Sequence, residues 1–372
     1  MIVTQVTPLL VSHPSDSWSW VKVETDCGFV GWGEYSGNPI SNAAVTAVIR
    51  VLGQRMVGRD PLNIGECLSD VRDWRYPSFL DFRCMMIAAS ALDMALWDIR
   101  GRVAGVPLRT LFHAPDISSV ALYANLNRLL RKDRSLDRLT TTAESAVSSG
   151  IGMVKLAPFD EVTPLIEAPD VISGVHRCRE VGKRIGLERI SLDCHCRFTP
   201  ASFETMLDTF GEEIDQIQFI EDPVRIHLDR DIAPIKKRWP QFQYASGEDC
   251  FAKAELKELA EGGHLSILNP DVKYVGGITG AAELIPILRS AGVNVALHNP
   301  SGPIATAHSA QLSALCGPDT ALEFAYGDSE ARSRSLTDGE PVEHGRYLLT
   351  DRPGIGVDPS QEFLEQYAST GI

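Results

Sequence analysis

From Ser119 onward the chain alternates short apolar runs with amphipathic stretches at a nearly constant interval. The runs VALYAN, GMVKLA, RISLDCH, QIQFIE, QFQYASGE, LSILNP, VNVALH and TALEF read as strands, and LDRLTTTAESAVSSG and AELKELAEGG read as two of the helices between them. One strand, one helix and two loops take roughly 25 to 30 residues. Eight such strands between residues 119 and 325 therefore fit one β/α barrel. The first 115 residues follow another pattern. IVTQVTPLLV, WSWVKVETD and GFVGWGEYS alternate apolar and polar positions as antiparallel strands do, with Asp26-Cys27-Gly28 as a turn. ISNAAVTAVIRVLGQRMVG and DFRCMMIAASALDMALWDIRGRVAG are helical, and Gly101, Gly105 and Pro107 are expected to end the second. The expected organisation is an α+β unit at 1–115, a barrel at 116–325, and a turn-rich segment at 326–372 that folds back onto the first unit.

Composition narrows the function more than the fold. With 372 residues, 44% hydrophobic and 23% charged, the chain is an ordinary globular one, too long for a single core. Thirty-five basic against 49 acidic side chains give a net charge of −14, which argues against nucleic acid or an anionic membrane as partner. No apolar run is long enough to span a bilayer and the start lacks the basic region of a signal peptide, so a cytoplasmic location is expected. The eight cysteines form no C-x-x-C pair and read as reduced thiols. Strand alternation puts Cys194 and Cys196 on the face opposite Asp193 and His195.

The candidate chemistry sits at the ends of the apolar runs. Asp193, Glu221, Glu248, Asp271, His298 and Glu323 each close or directly follow one, at gaps of 28, 27, 23, 27 and 25 residues. In a β/α barrel the C-terminal strand ends hold the active site. Taken singly, an acid there could be a helix N-cap or a solvated loop residue. Three in register, Asp193, Glu221 and Glu248, would repel one another unless a cation sat among them. A hard divalent ion, Mg²⁺ first, is the expected occupant. Asp271 beside His298 would fix the tautomer of the ring and raise its basicity, making His298 a candidate general base. His195, two residues past Asp193, could be a fourth ligand, a second acid or base, or a packed histidine. Lys155 could be catalytic, orient an anionic substrate or neutralise the carboxylates. The glycines of VGGITG could cradle a phosphate or simply form a tight turn.

Several stretches together resemble a known group. ALDMALWDIRGRVAGVPL, FIEDP, SGED, NPDVKYVGGITGAAEL and LHNPSGP are similar, in order and spacing, to the mandelate racemase-like subgroup of the enolase superfamily. The resemblance implies a modified (β/α)7β TIM-type barrel under an N-terminal α+β capping domain. It also implies Mg²⁺ on Asp193, Glu221 and Glu248, removal of the proton α to a substrate carboxylate, and an enediolate stabilised by the metal and a hydrogen-bond donor. By position, Asp271 and His298 match the family dyad, and Glu323 matches the acid that hydrogen-bonds the substrate carboxylate. Homo-oligomers of two to eight copies are common in the family. Racemases of the group carry Lys-x-Lys where this chain has Lys155-Leu156-Ala157, which weakens racemisation. Asp193-Cys194-His195 instead resembles the Asp-x-His of acid-sugar dehydratases, in which the histidine helps hydroxide leave.

The expectation is therefore a dehydratase of an aldonate or aldarate, with Lys155 and Glu323 at the enediolate end. Asn125, Asn127 and Arg128 at the first barrel strand's end are expected to add polar contacts to substrate, and Trp18, Trp20 and Tyr35 are candidates from the cap. Cap loops at 12–19 and 31–39 are expected to choose the sugar. An epimerase or cycloisomerase on the same fold, and a non-catalytic acid-binding protein, are the alternatives.

Overall fold

The computed structural model describes residues 1–37, 39–72, 79–130, 133, 135–162, 168–327 and 330–370. Strands β1 (Val3–His13), β2 (Asp16–Thr25) and β3 (Val30–Glu34) form an antiparallel meander. A two-residue turn sets His13 opposite Asp16. The residues from Trp18 to Val21 are buried in succession, so this end of the hairpin is covered on both faces. The helices Pro39–Met56 and Phe79–Ala104 pack on the sheet. Gly31 and Gly33 admit the second of these: a Cβ at either would lie 2.0 Å from the carbonyl oxygen of Ala95 or Ala91. That helix runs through Gly101 instead of ending there. The backbone of Gly354 crosses where a Cβ on Gly101 would be, so Gly101 serves close packing, and Gly105, at φ +69°, follows the helix end.

The eight apolar runs become β4 (Ser119–Asn125), β5 (Val154–Leu156), β6 (Ile190–Asp193), β7 (Ile220–Glu221), β8 (Tyr244–Ser246), β9 (Ile267–Leu268), β10 (Asn294–Val295) and β11 (Leu322–Ala325). They pair in parallel in the order β11-β4-β5-β6-β7-β8-β9-β10. Most ladders are shorter than the runs that predict them, and the remaining apolar residues flank the strands, Ile217 and Phe219 before β7 and Leu297 after β10 among them. The register places Asp193 beside Glu221. Polar clamps join cap to barrel. Asp93 of the cap helix accepts from the Thr279 amide and hydroxyl, and Trp97 Nε1 donates to the same hydroxyl at 2.7 Å.

The segment after residue 326 meets strands of both units. β12 (Val342–Glu343) and β13 (Arg346–Leu348) form a hairpin whose second strand pairs antiparallel with the start of β4. Further on, β14 (Ala368–Ser369) adds to β1 in the cap sheet. Buried Asp98 of the cap helix ties the cap sheet to this segment, accepting from the amides of Trp32 and Ile355 and pairing with Arg102. Among the described residues no helix is long and apolar enough to cross a membrane, and all eight cysteines are free.

Candidate active site

The floor of the barrel mouth is built from consecutive strand ends. Asp193 closes β6, Glu221 closes β7, and Glu248 follows β8 by two residues across Gly247. One carboxylate oxygen from each lies within 4.8 Å of the other two. Lys155 Nζ, buried at the end of β5, sits 2.7 Å from Glu221 Oε1, 2.7 Å from Glu323 Oε1 and 3.5 Å from Asp193 Oδ2. Burial opposes its charge, but these carboxylates outweigh burial and hold it protonated. Burial pushes the Glu221 carboxyl well up, and Asp193, Glu248 and Glu323 add to the push while Lys155 opposes it. Glu221 Oε2 is buried without a hydrogen-bond partner among the described residues. Three hard oxygen donors, one of them orphaned in a surplus of negative charge, fit a divalent cation.

Glu323 on β11 lies on the far side of Lys155. It accepts from Asn125 Nδ2 at 2.6 Å and from the Asn299 amide at 2.8 Å. Asn125 in turn accepts from the Asn127 amide, and Asn127 Nδ2 reaches Asp193 Oδ2 at 3.0 Å. The first strand's loop is thus wired into the metal-ligand candidates.

Two histidines stand above this floor. His298 Nδ1 is 2.8 Å from Asp271 Oδ2 and its Nε2 is 2.9 Å from Glu248 Oε2. Burial disfavours its charge, yet Glu248 and Asp271 prevail and raise its pKa well above the ordinary value. Asp271 is held low against its burial by Lys273 and then His298. His195 is reached differently from the expected alternation. β6 stops at Asp193, and His195 and Cys196 adopt left-handed backbone at φ +46° and +55° in a turn. The turn folds the ring back, so that Nε2 lies 3.1 Å from Asp193 Oδ2 and Nδ1 lies 2.6 Å from Asp160 Oδ1. Against the cost of burial, Asp193 and Asp160 push its pKa up to about 11.

A cavity of about 450 Å³ opens over these groups, lined among others by Asn125, Asn127, Arg128, Asp193, His195, Glu248 and His298. Lys155, Glu221, Asp271 and Glu323 lie beneath or behind that lining. Arg128 ties the cap to the barrel, meeting Asp16 at 2.9 Å and the Pro300 carbonyl at 3.0 Å. Trp18, Trp20 and Tyr35 are not where the cap reading puts them. They are buried in the cap core, with the Tyr35 hydroxyl bonded to Thr46. Ser17, Ser36 and Gly37 nearby face the cavity instead; for Ser17 this follows from strand alternation once the Trp18 indole points inward. Of the cap loop at 31–39, Asn38 lies outside the described residues. The VGGITG glycines lie against the cap helix, where Gly277 has no room for a Cβ beside Asp93, and they do not line this cavity. Sequence reasoning missed Asp160, which no motif marks, and Lys273, which lies within the quoted NPDVKYV two residues past Asp271.

Residues 4–112 match the family described as "Mandelate racemase / muconate lactonizing enzyme, N-terminal domain", and residues 138–363 match "Enolase C-terminal domain-like". The chain belongs to the mandelate racemase/muconate lactonizing enzyme family of the enolase superfamily. It is 28% identical to a D-galactonate dehydratase of Ralstonia nicotianae over 95% of this chain and 92% of that one. In fold it is similar to a putative dehydratase protein from Salmonella enterica serovar Typhimurium, with TM-score 0.86 and 21% identity over 99% of this chain and 98% of that one. The 3,6-anhydro-D-galactonate cycloisomerase from Zobellia galactanivorans gives TM-score 0.82 and 20% identity over 99% and 100% of the two chains. The two solved structures establish the enolase-type barrel and its cap. The protein is an enolase-superfamily enzyme, and its Asp193, Glu221 and Glu248 are a carboxylate set consistent with a divalent metal site.

Proposed function

We propose that the enzyme is a Mg²⁺-dependent dehydratase of an acid sugar, an aldonate or aldarate, forming a 2-keto-3-deoxy acid. Asp193, Glu221 and Glu248 would hold the Mg²⁺, which when bound would supply Lewis acidity to lower the pKa of the proton α to the substrate carboxylate. His298 is the base. Donation from Nδ1 to Asp271 leaves Nε2 as the atom that takes the proton; Glu248, 2.9 Å away, is the main group favouring the charged ring, and turning it to a metal would withdraw that support and let the ring stand neutral at Nε2. Lys155 and Glu323 hold the carboxylate end, with the ammonium facing the charge that develops there. The C2–H electron pair is first held as an enediolate of the substrate carboxylate; it then forms the C2–C3 double bond as the C3–O bond breaks. His195 gives its Nε2 proton to the departing hydroxyl, which leaves as water, and the enol tautomerises to the keto acid.

The observation that carries this reading is His195. Asp160 takes Nδ1 and leaves Nε2 at the cavity wall beside Asp193, where a proton donor to the leaving hydroxyl would stand. The opposite face supports no second base for racemisation: Ala157 replaces the second lysine, and Lys155 is engaged by three carboxylates. The test is to incubate the protein and Mg²⁺ with aldonic and aldaric acids and score 2-keto acid. Product from at least one acid, abolished by EDTA and by His298→Asn, is expected. No product from any member, or product that survives His298→Asn, would overturn the reading.

A further inference from the structure

Among the described residues three cations other than histidine reach the site, and their hydrogen-bonding obligations differ. Lys155 pairs with Glu221, Glu323 and Asp193 and is assigned above to the reacting carboxylate end. Arg128 is committed to Asp16 and to the Pro300 carbonyl. Lys273 remains. It follows β9 in the turn that carries Asp271, its backbone amide donating to Asp271 Oδ1 at 2.7 Å and its Nζ standing 3.3 Å from Asp271 Oδ2. Oδ2 is also the oxygen that meets His298 Nδ1. The Lys273 side chain is 97% buried, yet it lines the cavity. Among the described residues its ammonium pairs with Asp271 alone, and lies 5.4 Å from the Tyr274 ring centroid. An ammonium has three donors, and burying one with donors unmet is costly. Asp271 can take one of them; the others have the cavity to turn to.

We propose that Lys273 anchors the substrate: braced by Asp271, its ammonium donates to a hydroxyl or second carboxylate oxygen of the acid sugar beyond the reacting carbons, on the His298 side. The assignment rests on the acid-sugar reading given above. The reacting carboxylate belongs to Lys155 and Glu323, so an oxygen that meets Lys273, behind the His298 and Asp271 pair, comes from further along the chain. A short α-hydroxy acid has no such oxygen. Lys273 therefore distinguishes long polyhydroxy acids from short ones, and does so through binding.

The test measures binding by titration calorimetry on the Mg²⁺-loaded protein, with glycolate as the short probe and six-carbon aldonates and aldarates as the long ones. Wild type is expected to bind at least one long acid more tightly than glycolate. Lys273→Met should weaken that acid by roughly 10- to 100-fold, the worth of a hydrogen bond to a charged group, and leave glycolate unchanged. Retained glycolate binding shows the variant site to be folded, and Lys273→Gln provides a second variant of similar length. Equal weakening of both probes, or of neither, overturns the anchor and assigns Lys273 to bracing Asp271 only, while keto-acid formation by wild type leaves the dehydratase reading intact. Binding of a long acid that depends on Lys273 but gives no keto acid supports the anchor and overturns the dehydratase. Wild type that binds no long acid better than glycolate overturns the anchor whatever its turnover.

Discussion

His195 is placed by a backbone conformation that non-glycine residues seldom adopt. At φ +46° it leaves the strand geometry of β6 and turns its ring back toward Asp193. Replacing it with asparagine should separate two halves of the reaction, since His298 would still remove the α-proton. His195→Asn is expected to cut keto-acid formation by roughly 10²- to 10⁴-fold while deuterium from solvent still enters recovered substrate, read by mass spectrometry. Loss of exchange in parallel with product would assign His195 to the metal site instead. At this scale the sequence was informative where chemistry coincides with a strand end. Asp193, Glu221, Asp271 and His298 could be found by spacing because each closes or follows a ladder. Asp160 could not, because it sits in a loop and acts only through His195.

The loop after β10 shows how elements position the site. Each of its residues is held by a different part of the molecule. His298 meets Asp271, Asn299 meets Glu323, the Pro300 carbonyl accepts from Arg128, the Ser301 carbonyl from Arg332, and the Gly302 amide donates to Glu34 of β3. The cap thus constrains the loop that carries the base as well as roofing the cavity. Its seating depends on β3 lying flat on the helix Phe79–Ala104. Gly33→Ala would set a methyl 2.0 Å from the Ala91 carbonyl oxygen. The expected cost is about 3 kcal/mol, read as a lower urea midpoint; a midpoint equal to wild type would show that the contact relaxes. The strand alternation and helix lengths were legible in the sequence. The inward choice for Trp18 and Tyr35 was not, because alternation fixes opposite faces without saying which one is wet.

Across the whole molecule, cap and barrel also meet at a buried neutral histidine. His308, on the helix Pro303–Cys316, places Nε2 2.8 Å from the Trp32 carbonyl oxygen of β3. Burial, reinforced by Arg102, lowers its pKa from the ordinary 6.5 to about 4. Above pH 6.5 the ring is neutral in the folded and unfolded chains alike. Between 6.5 and 4 only the unfolded chain takes up the proton, so stability falls as pH falls, by up to about 3 kcal/mol from this group. His308→Gln should flatten that part of the stability profile in urea titrations from pH 7 to 4.5. An unchanged slope would contradict the assignment.

The central claim, that the paired histidines divide one elimination between them, is tested most directly by running the reaction in deuterium oxide with Mg²⁺ and an acid sugar from the panel, following substrate and product by NMR. The account predicts a 2-keto-3-deoxy acid carrying solvent deuterium at C3, with no α-epimer of the substrate. Deuterium at the inverted α-carbon of recovered acid, without keto acid, would contradict it and identify an epimerase.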